Sequence, residues 1–132
     1  MQRRTILWAA ISGMVAVILG AMGAHKLLPL MEADKAHAFT TGSLYHLVHS
    51  VVLLVLAALM TLKNNRTMQW AVRLFQAGML LFSGSLYLIS ILSIFNIHVF
   101  WLGPLTPLGG VCLIAGWLVL FLAFLPGESK SG

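Results

Sequence analysis

The stretch Ser43–Leu62, SLYHLVHSVVLLVLAALMTL, contains no Asp, Glu, Lys or Arg. A helix of about 20 apolar residues crosses the roughly 30 Å of hydrocarbon in a bilayer. Only helices and closed barrels satisfy their backbone in lipid, and this stretch lacks the alternation of apolar and polar residues that a barrel strand shows. The segment therefore predicts a membrane-spanning helix.

Three further segments are also free of charged residues: Thr5–Ala24 (which follows Arg3 and Arg4), Leu74–Phe95 and Pro107–Leu125. The 132-residue chain is 60% hydrophobic and 8% charged, whereas globular domains are about 25% charged. This balance excludes an ordinary soluble protein. We predict an all-α polytopic membrane protein, a four-transmembrane-helix bundle that forms a single domain over residues 1–132, with spans at 5–24, 43–62, 74–95 and 107–125.

Basic residues are divided unevenly between the two ends of this predicted bundle. Cytoplasmic loops carry an excess of Lys and Arg, so the side with more of them predicts the cytoplasm. We therefore expect the bacterial inner membrane, with both termini cytoplasmic, and membrane lipids as partners, including anionic lipids at the cytoplasmic face. Topology and lipid explain the net charge of +5 better than nucleic acid does. The six basic residues on the predicted cytoplasmic side are Arg3, Arg4, Lys63, Arg66, Arg73 and Lys130.

Loop residues predict where the helices end. Thr106-Pro107 is typical of an N-cap followed by proline in the first turn, and Pro126-Gly127 is expected to stop the last helix. The mixed-charge segment 29–37 is expected to form a short interfacial helix before the second span. Trp117 falls near mid-membrane, where its indole N–H needs a protein partner.

Small residues recur every three or four positions in the first and fourth spans, a pattern that lets helices approach closely. Whether these surfaces pack within one subunit or between subunits stays open, and a homo-oligomer is one of the two outcomes. The single cysteine, Cys112, allows no internal disulfide. We expect these glycines to pack between helices: Gly13, Gly20, Gly23, Gly84, Gly109, Gly110 and Gly116.

The acidic residues are Glu32, Asp34 and Glu128, and all three lie outside the predicted spans. Proton pumps and ion-coupled transporters commonly place carboxylates at mid-membrane, and acid–base hydrolysis needs paired carboxylates. We therefore predict no catalytic residue, and the sequence does not favour an enzyme.

Histidine, tyrosine and serine are the polar residues that remain within the spans. His49 lies about 9 Å from the outer end of its span and Tyr87 about 12 Å from the outer end of the next, at about 1.5 Å per residue. We therefore predict a hydrogen bond between His49 and Tyr87 and favour a satisfied structural cluster. The predicted intramembrane polar cluster comprises His25, Tyr45, His49, Ser83, Tyr87 and Ser90.

A ligand site is the alternative interpretation of these histidines. His46 and His49 are three residues apart and could approach a metal together, with His25 as a third donor, or one of them could be a haem ligand. No cysteine or carboxylate completes such a set, so we expect no metal and no cofactor. A proton-responsive site is a further alternative, since histidine titrates near neutral pH.

Four segments in fixed order carry a family resemblance: GAMGAH at 20–25, TGSLYHLVH at 41–49, LFSGSLY at 81–87, and TPLGG at 106–110 followed by AGW at 115–117. Together they resemble the YgdD and YwdK group of small bacterial inner-membrane proteins. This four-span family of unknown function, domain of unknown function family 423, is related to eukaryotic transmembrane protein 256. The resemblance implies a fold and a location but no reaction.

The resemblance also sorts the candidate residues. It leaves His46 outside the family pattern, which makes a two-histidine metal site peculiar to this sequence, and it places Met22 where an aromatic residue is common. It implies that the following residues belong to the pattern: Gly20, Gly23, His25, Tyr45, His49, Ser83, Gly84, Ser85, Tyr87, Thr106, Pro107, Gly109, Gly110, Gly116 and Trp117.

We expect a non-enzymatic membrane component that supports membrane integrity or interacts with lipids and membrane proteins. The alternative is a small oligomeric channel or transporter for a neutral or anionic solute, lined by the His/Tyr/Ser cluster of the outer leaflet. A membrane enzyme or redox carrier would need bound haem, quinone or metal. A hydrated cavity that reaches His49 would favour the channel, and a closed cluster would favour the structural role.

Overall fold

A computed structural model describes residues 1–125, and all regular secondary structure in this part of the chain is helical. Helix α1 covers Gln2–Met22, α2 Ala33–Leu59, α3 Arg66–Ile94 and α4 Leu105–Phe124. A π-helical turn at 23–27 and a 3-10 turn at 28–30 extend α1, and a second 3-10 turn at 100–102 precedes α4. All four helices are long and apolar enough to cross a membrane, so the predicted four-helix membrane fold is confirmed.

Successive helices pack side by side, α1 on α2, α2 on α3 and α3 on α4, with the most extensive contact between α3 and α4. Leu53 and Leu56 of α2 and Val72 and Phe75 of α3 are almost completely buried in the shared core. Large apolar side chains also cover the outside of the bundle, such as Ile114, which is 70% exposed. Lipid tails are as apolar as these side chains, so the outer surface is suited to a bilayer.

Two helices begin well before the predicted spans. Helix α2 begins at Ala33 and absorbs most of the segment that was expected to form a separate interfacial helix, so that expectation is wrong. Asp34 lies in its first turn, where a carboxylate interacts favourably with the helix dipole. Helix α3 begins at Arg66 because Asn65 caps it, with Oδ1 accepting a 2.8 Å hydrogen bond from the backbone N–H of Met68.

The other helix ends are formed differently from the expected pattern. Helix α4 begins at Leu105 without a side-chain cap, so the prediction that Thr106 caps it is wrong. Helix α3 ends in a Schellman motif, in which the N–H of Ile97 donates to the carbonyl of Leu92 at 3.1 Å. Asn96 supplies the left-handed residue of this motif, with φ of 57°. The predicted stop at Pro126-Gly127 lies outside the described residues.

Glycine positions the last two helices against each other. A Cβ at Gly109 would collide with the backbone of Phe82, and one at Gly116 would lie 3.1 Å from the ring of Phe75. A Cβ at Gly78, which was not among the predicted packing glycines, would lie 2.6 Å from the side chain of Leu113. Helices α3 and α4 therefore approach at backbone distance.

The other predicted packing glycines divide into three groups. Gly23 lies tightly under the ring of Phe39. A Cβ at Gly13, Gly20 or Gly110 would meet a neighbour only at ordinary contact distance, about 3.4–3.8 Å. Gly84 has nothing within 4 Å of an added Cβ, so it does not pack against another helix within residues 1–125 of the same chain.

Candidate functional site

His46 of α2 connects three helices inside the bundle. Its Nε2 lies 2.9 Å from the hydroxyl of Ser12 on α1, and its Nδ1 lies 3.2 Å from the hydroxyl of Tyr87 on α3. Ser12 and Tyr87 are buried, so each would lose free energy without a partner. Both ring nitrogens of His46 are therefore used to join α2 to its two neighbours.

Ser50, one turn further along α2, completes this polar network. Its hydroxyl donates to the carbonyl of His46 at 2.8 Å and lies 2.9 Å from the hydroxyl of Ser12. We define the polar network as Ser12, His46, Ser50 and Tyr87. Ser12 was not predicted from the sequence. The feature that could have indicated it is its hydroxyl, which lies beside Gly13 in the small-residue pattern of α1.

The protons of the polar network can be assigned by elimination. Because Ser50 gives its proton to a carbonyl, Ser12 donates to Ser50 and so accepts from Nε2–H of His46. Nδ1 of a neutral His46 is then an acceptor, and Tyr87 donates to it. The result is a continuous chain of donors, from Tyr87 through His46 and Ser12 to Ser50, in which each proton is used once.

His49 does not bond to Tyr87, so that prediction is wrong. Its Nδ1 lies 2.8 Å from the carbonyl of Tyr45 and therefore donates to it. The Nε2 of His49 is buried and has no hydrogen-bond partner within residues 1–125. His49 and His46 are one helical turn apart but face different neighbours.

Aromatic rings enclose the His49 side chain. Tyr45 stacks on it with 5.8 Å between ring centroids, and the rings of Phe75 and Trp117 lie 5.7 Å and 6.3 Å away. Tyr45 is 41% exposed and Trp117 48% exposed, so both rings reach the outer surface of the bundle. The hydrogen bond expected for the indole of Trp117 is not among those found in the described residues, where its ring packs edge-on against Phe75 instead.

The remaining predicted cluster residues lie in two places. Ser83 and Ser90 are buried on the same side of α3 as Tyr87, and neither hydroxyl has a partner in the described part of the chain. His25 is exposed in the π-helical turn and belongs to no contact with this group, which corrects its assignment to the cluster. Ser85 instead bonds Thr106 at 2.7 Å and thereby joins α3 to α4.

A metal site was the alternative interpretation of the histidines. Among residues 1–125, no group of three or more His, Cys, Asp or Glu side chains is arranged to hold a metal ion. His25 is exposed, while the ring nitrogens of His46 are already hydrogen-bonded. The set His25, His46 and His49 is therefore not brought together.

Sequence comparison places this architecture among known proteins. The family described as "Protein of unknown function (DUF423)" matches residues 19–110. The UPF0382 membrane protein YwdK of Bacillus subtilis (strain 168) is 40% identical over 119 residues, which cover 89% of this chain and 93% of the relative. The UPF0382 inner membrane protein YgdD of Escherichia coli (strain K12) is 37% identical over 128 residues, 97% of this chain and 94% of the relative.

A UPF0382 membrane protein of Haemophilus influenzae is 34% identical over 131 residues, which cover 99% of both chains. No solved structure matches the chain. The family match extends from the end of α1 into the start of α4, and the relatives extend over nearly the whole bundle. The chain is thus a multi-pass membrane protein and belongs to the DUF423 (UPF0382) family.

Proposed function

We propose that the protein is a non-enzymatic component of the bacterial inner membrane that supports membrane integrity and interacts with lipids or other membrane proteins. The observation that carries this proposal is that His46 uses both ring nitrogens to join α2 to α1 and α3. A side chain committed in this way strengthens a helix arrangement and has no nitrogen left for a substrate.

The hydrogen bonds of the polar network support the same role. Each of its four side chains has a hydrogen-bond partner, and buried polar groups are costly in hydrocarbon when they are left unpaired. Interhelical hydrogen bonds in membranes contribute about 0.6 kcal/mol each, so such a network specifies the packing more than it adds stability. A bundle whose helices pack in one way presents a constant outer surface to the surrounding lipids.

Orientation is part of this proposal, with both termini in the cytoplasm. Four spans return the chain to the side on which it began, and Arg3, Arg4, Lys63 and Arg66 all lie at that end of the bundle. A carboxyl-terminal green fluorescent protein fusion should fluoresce, and an alkaline phosphatase fusion at the same site should be inactive. The opposite pair of results would reverse the orientation.

The proposed role is tested by deleting the gene from its host bacterium and measuring propidium uptake after hypo-osmotic shock. We expect more dye-positive cells in the deletion strain, restored to the parental level by the wild-type gene. His46→Ala should restore less than His37→Ala, which alters an exposed histidine on the same helix. Equal dye uptake by the parent and deletion strains would reject the proposal.

A second candidate is a small channel or transporter for a neutral or anionic solute, formed by an oligomer. It is favoured by the buried polar atoms of His49, Ser83 and Ser90, which have no partner in the described residues. Polar groups of this kind line water-filled paths in membrane proteins. On mixing with glycerol or formate, vesicles first shrink and then re-swell as the solute enters. Proteoliposomes should then re-swell faster than protein-free vesicles, and Ser83→Ala should slow this re-swelling.

A further inference from the structure

A cavity of about 420 Å³ opens between the amino-terminal ends of α1 and α3. It is lined by Met1, the N-cap residue of α1, and by Arg4, Thr5 and Trp8 of that helix, and this spacing of three and four places them on one helix face. Arg73 and Gln76 line it from α3. Its volume falls in the range of about 300–1,000 Å³ that is typical of small-ligand sites.

The two arginines of this cavity have no acidic partner nearby among residues 1–125. The one salt bridge found within residues 1–125 joins Lys35 to Asp34, at the start of α2 and the opposite end of the bundle. Glu32 lies at that opposite end as well. The cavity therefore carries two positive charges that the described chain does not neutralise, and it is complementary to an anion.

The position of the cavity along the helix axis indicates which kind of anion it binds. Arg73 is the eighth residue of α3, about 10 Å from the helix start at 1.5 Å per residue. Its guanidinium lies 5.2 Å from the ring centroid of Trp70, one turn closer to the helix start, so the side chain bends toward the membrane surface. The guanidinium of Arg73 is thereby brought to the level of lipid headgroups, where tryptophan rings are also enriched.

We propose that this cavity binds the headgroup of an anionic phospholipid. Arg4 and Arg73 contact the phosphodiester, Gln76 offers an amide donor, and the Trp8 ring covers the glycerol backbone. The acyl chains then follow the outer face of α1, where Leu7 and Ile11 are 54% and 60% exposed. A zwitterionic lipid is bound less well because its own cation neutralises the phosphate.

This inference rests on the proposed role in lipid interaction and makes it specific to one site. The first test is native mass spectrometry of the purified full-length protein with equimolar dioleoylphosphatidylglycerol and dioleoylphosphatidylcholine. Arg4→Gln and Arg73→Gln should each lower the ratio of bound phosphatidylglycerol to phosphatidylcholine about fivefold, since one basic residue near an anionic surface contributes about 1 kcal/mol.

Arg3→Gln and Arg66→Gln are matched controls, because both residues belong to the same basic end but do not line the cavity. Each should change the lipid ratio by less than about twofold if the preference belongs to the site and not to the basic rim as a whole. An equal loss in all four variants, or no loss in Arg4→Gln and Arg73→Gln, would overturn the proposal.

A second test uses the unaltered protein and so does not depend on the folding of any variant. Phenylglyoxal modifies accessible arginines, and peptide mass spectrometry reports each site separately. In phosphatidylglycerol nanodiscs Arg4 and Arg73 should be protected while Arg3 and Arg66 react, and in phosphatidylcholine nanodiscs all four should react. Equal reactivity of the four arginines in phosphatidylglycerol would refute the site.

The two proposals can fail separately. The lipid measurements use purified protein, whereas the proposed role in membrane integrity is measured as dye uptake in cells. Unaltered dye uptake in the deletion strain would reject the cellular role. The ratios of bound lipids would still test the proposed binding site.

Discussion

The rings of His46 and Tyr87 meet edge to face, with centroids 5.8 Å apart and planes inclined by 62°, while Nδ1 of His46 lies 3.2 Å from the tyrosine hydroxyl. The same tyrosine ring lies 5.2 Å from the ring of Phe39, centroid to centroid. The pair thus combines a hydrogen bond with aromatic packing between α2 and α3, and its loss should be measurable as a change in bundle stability.

His46→Ala should lower the free energy of unfolding by about 1–2 kcal/mol, because two interhelical hydrogen bonds of about 0.6 kcal/mol disappear and buried Ser12 and Tyr87 lose a partner. Steric-trap unfolding in bicelles measures this difference. His37→Ala, at an exposed position of α2, is the control and should be neutral. Equal stabilities of the two variants would show that the network contributes nothing.

A double-mutant cycle should identify which histidine bonds to Tyr87. His46→Ala and Tyr87→Phe should couple by about 0.6 kcal/mol, the average for a hydrogen bond in a membrane protein, whereas His49→Ala and Tyr87→Phe should be additive. Unfolding free energies of the single and double variants supply both cycles. Coupling to His49 alone would contradict the hydrogen bond between His46 and Tyr87.

Gly109→Ala should destabilise the bundle by about 1–3 kcal/mol, because the new methyl group meets the backbone of Phe82, which cannot move aside as a flexible side chain would. Gly84→Ala is the matched variant on the facing helix. Its methyl group enters open space, so it should be neutral or stabilise α3 by about 0.5–1 kcal/mol. Thermal unfolding in detergent compares the two, and similar losses would argue against the close contact at Gly109.

Ser83→Ala should leave stability unchanged or raise it by about 1 kcal/mol, because it removes a buried hydroxyl that has no partner in residues 1–125. Ser50→Ala should lower it by about 1 kcal/mol, because that hydroxyl bonds both His46 and Ser12. Unfolding curves of both variants give the comparison. A loss for Ser83→Ala as large as that for Ser50→Ala would indicate that Ser83 holds a water molecule or solute.

The number and class of the helices could be predicted from composition, because a charge-free run of about 20 residues leaves few alternatives in lipid. Helix starts were less predictable. Helices α2 and α3 continue beyond the charge-free runs into polar sequence, where a side-chain cap such as Asn65 decides the boundary.

The partner of Tyr87 could not be derived from depth alone. His46 and His49 differ by three residues, about 4.5 Å along the axis, which is within the error of a predicted boundary. Their directions differ, since His46 faces Ser12 and Tyr87 while His49 faces Phe75 and Trp117. Choosing between the two histidines requires the positions of α1 and α4 around α2. These positions cannot be derived from the spacing of residues within α2.

The polar network also has an order in time. Ser12, His46 and Ser50 all belong to the first two helices, so their hydrogen bonds can form once α1 and α2 have entered the membrane as a hairpin. Tyr87 leaves the ribosome 37 residues after Ser50, about two to seven seconds later at 5–20 residues per second. The bond between Nδ1 of His46 and Tyr87, which joins α2 to α3, can form only after that interval.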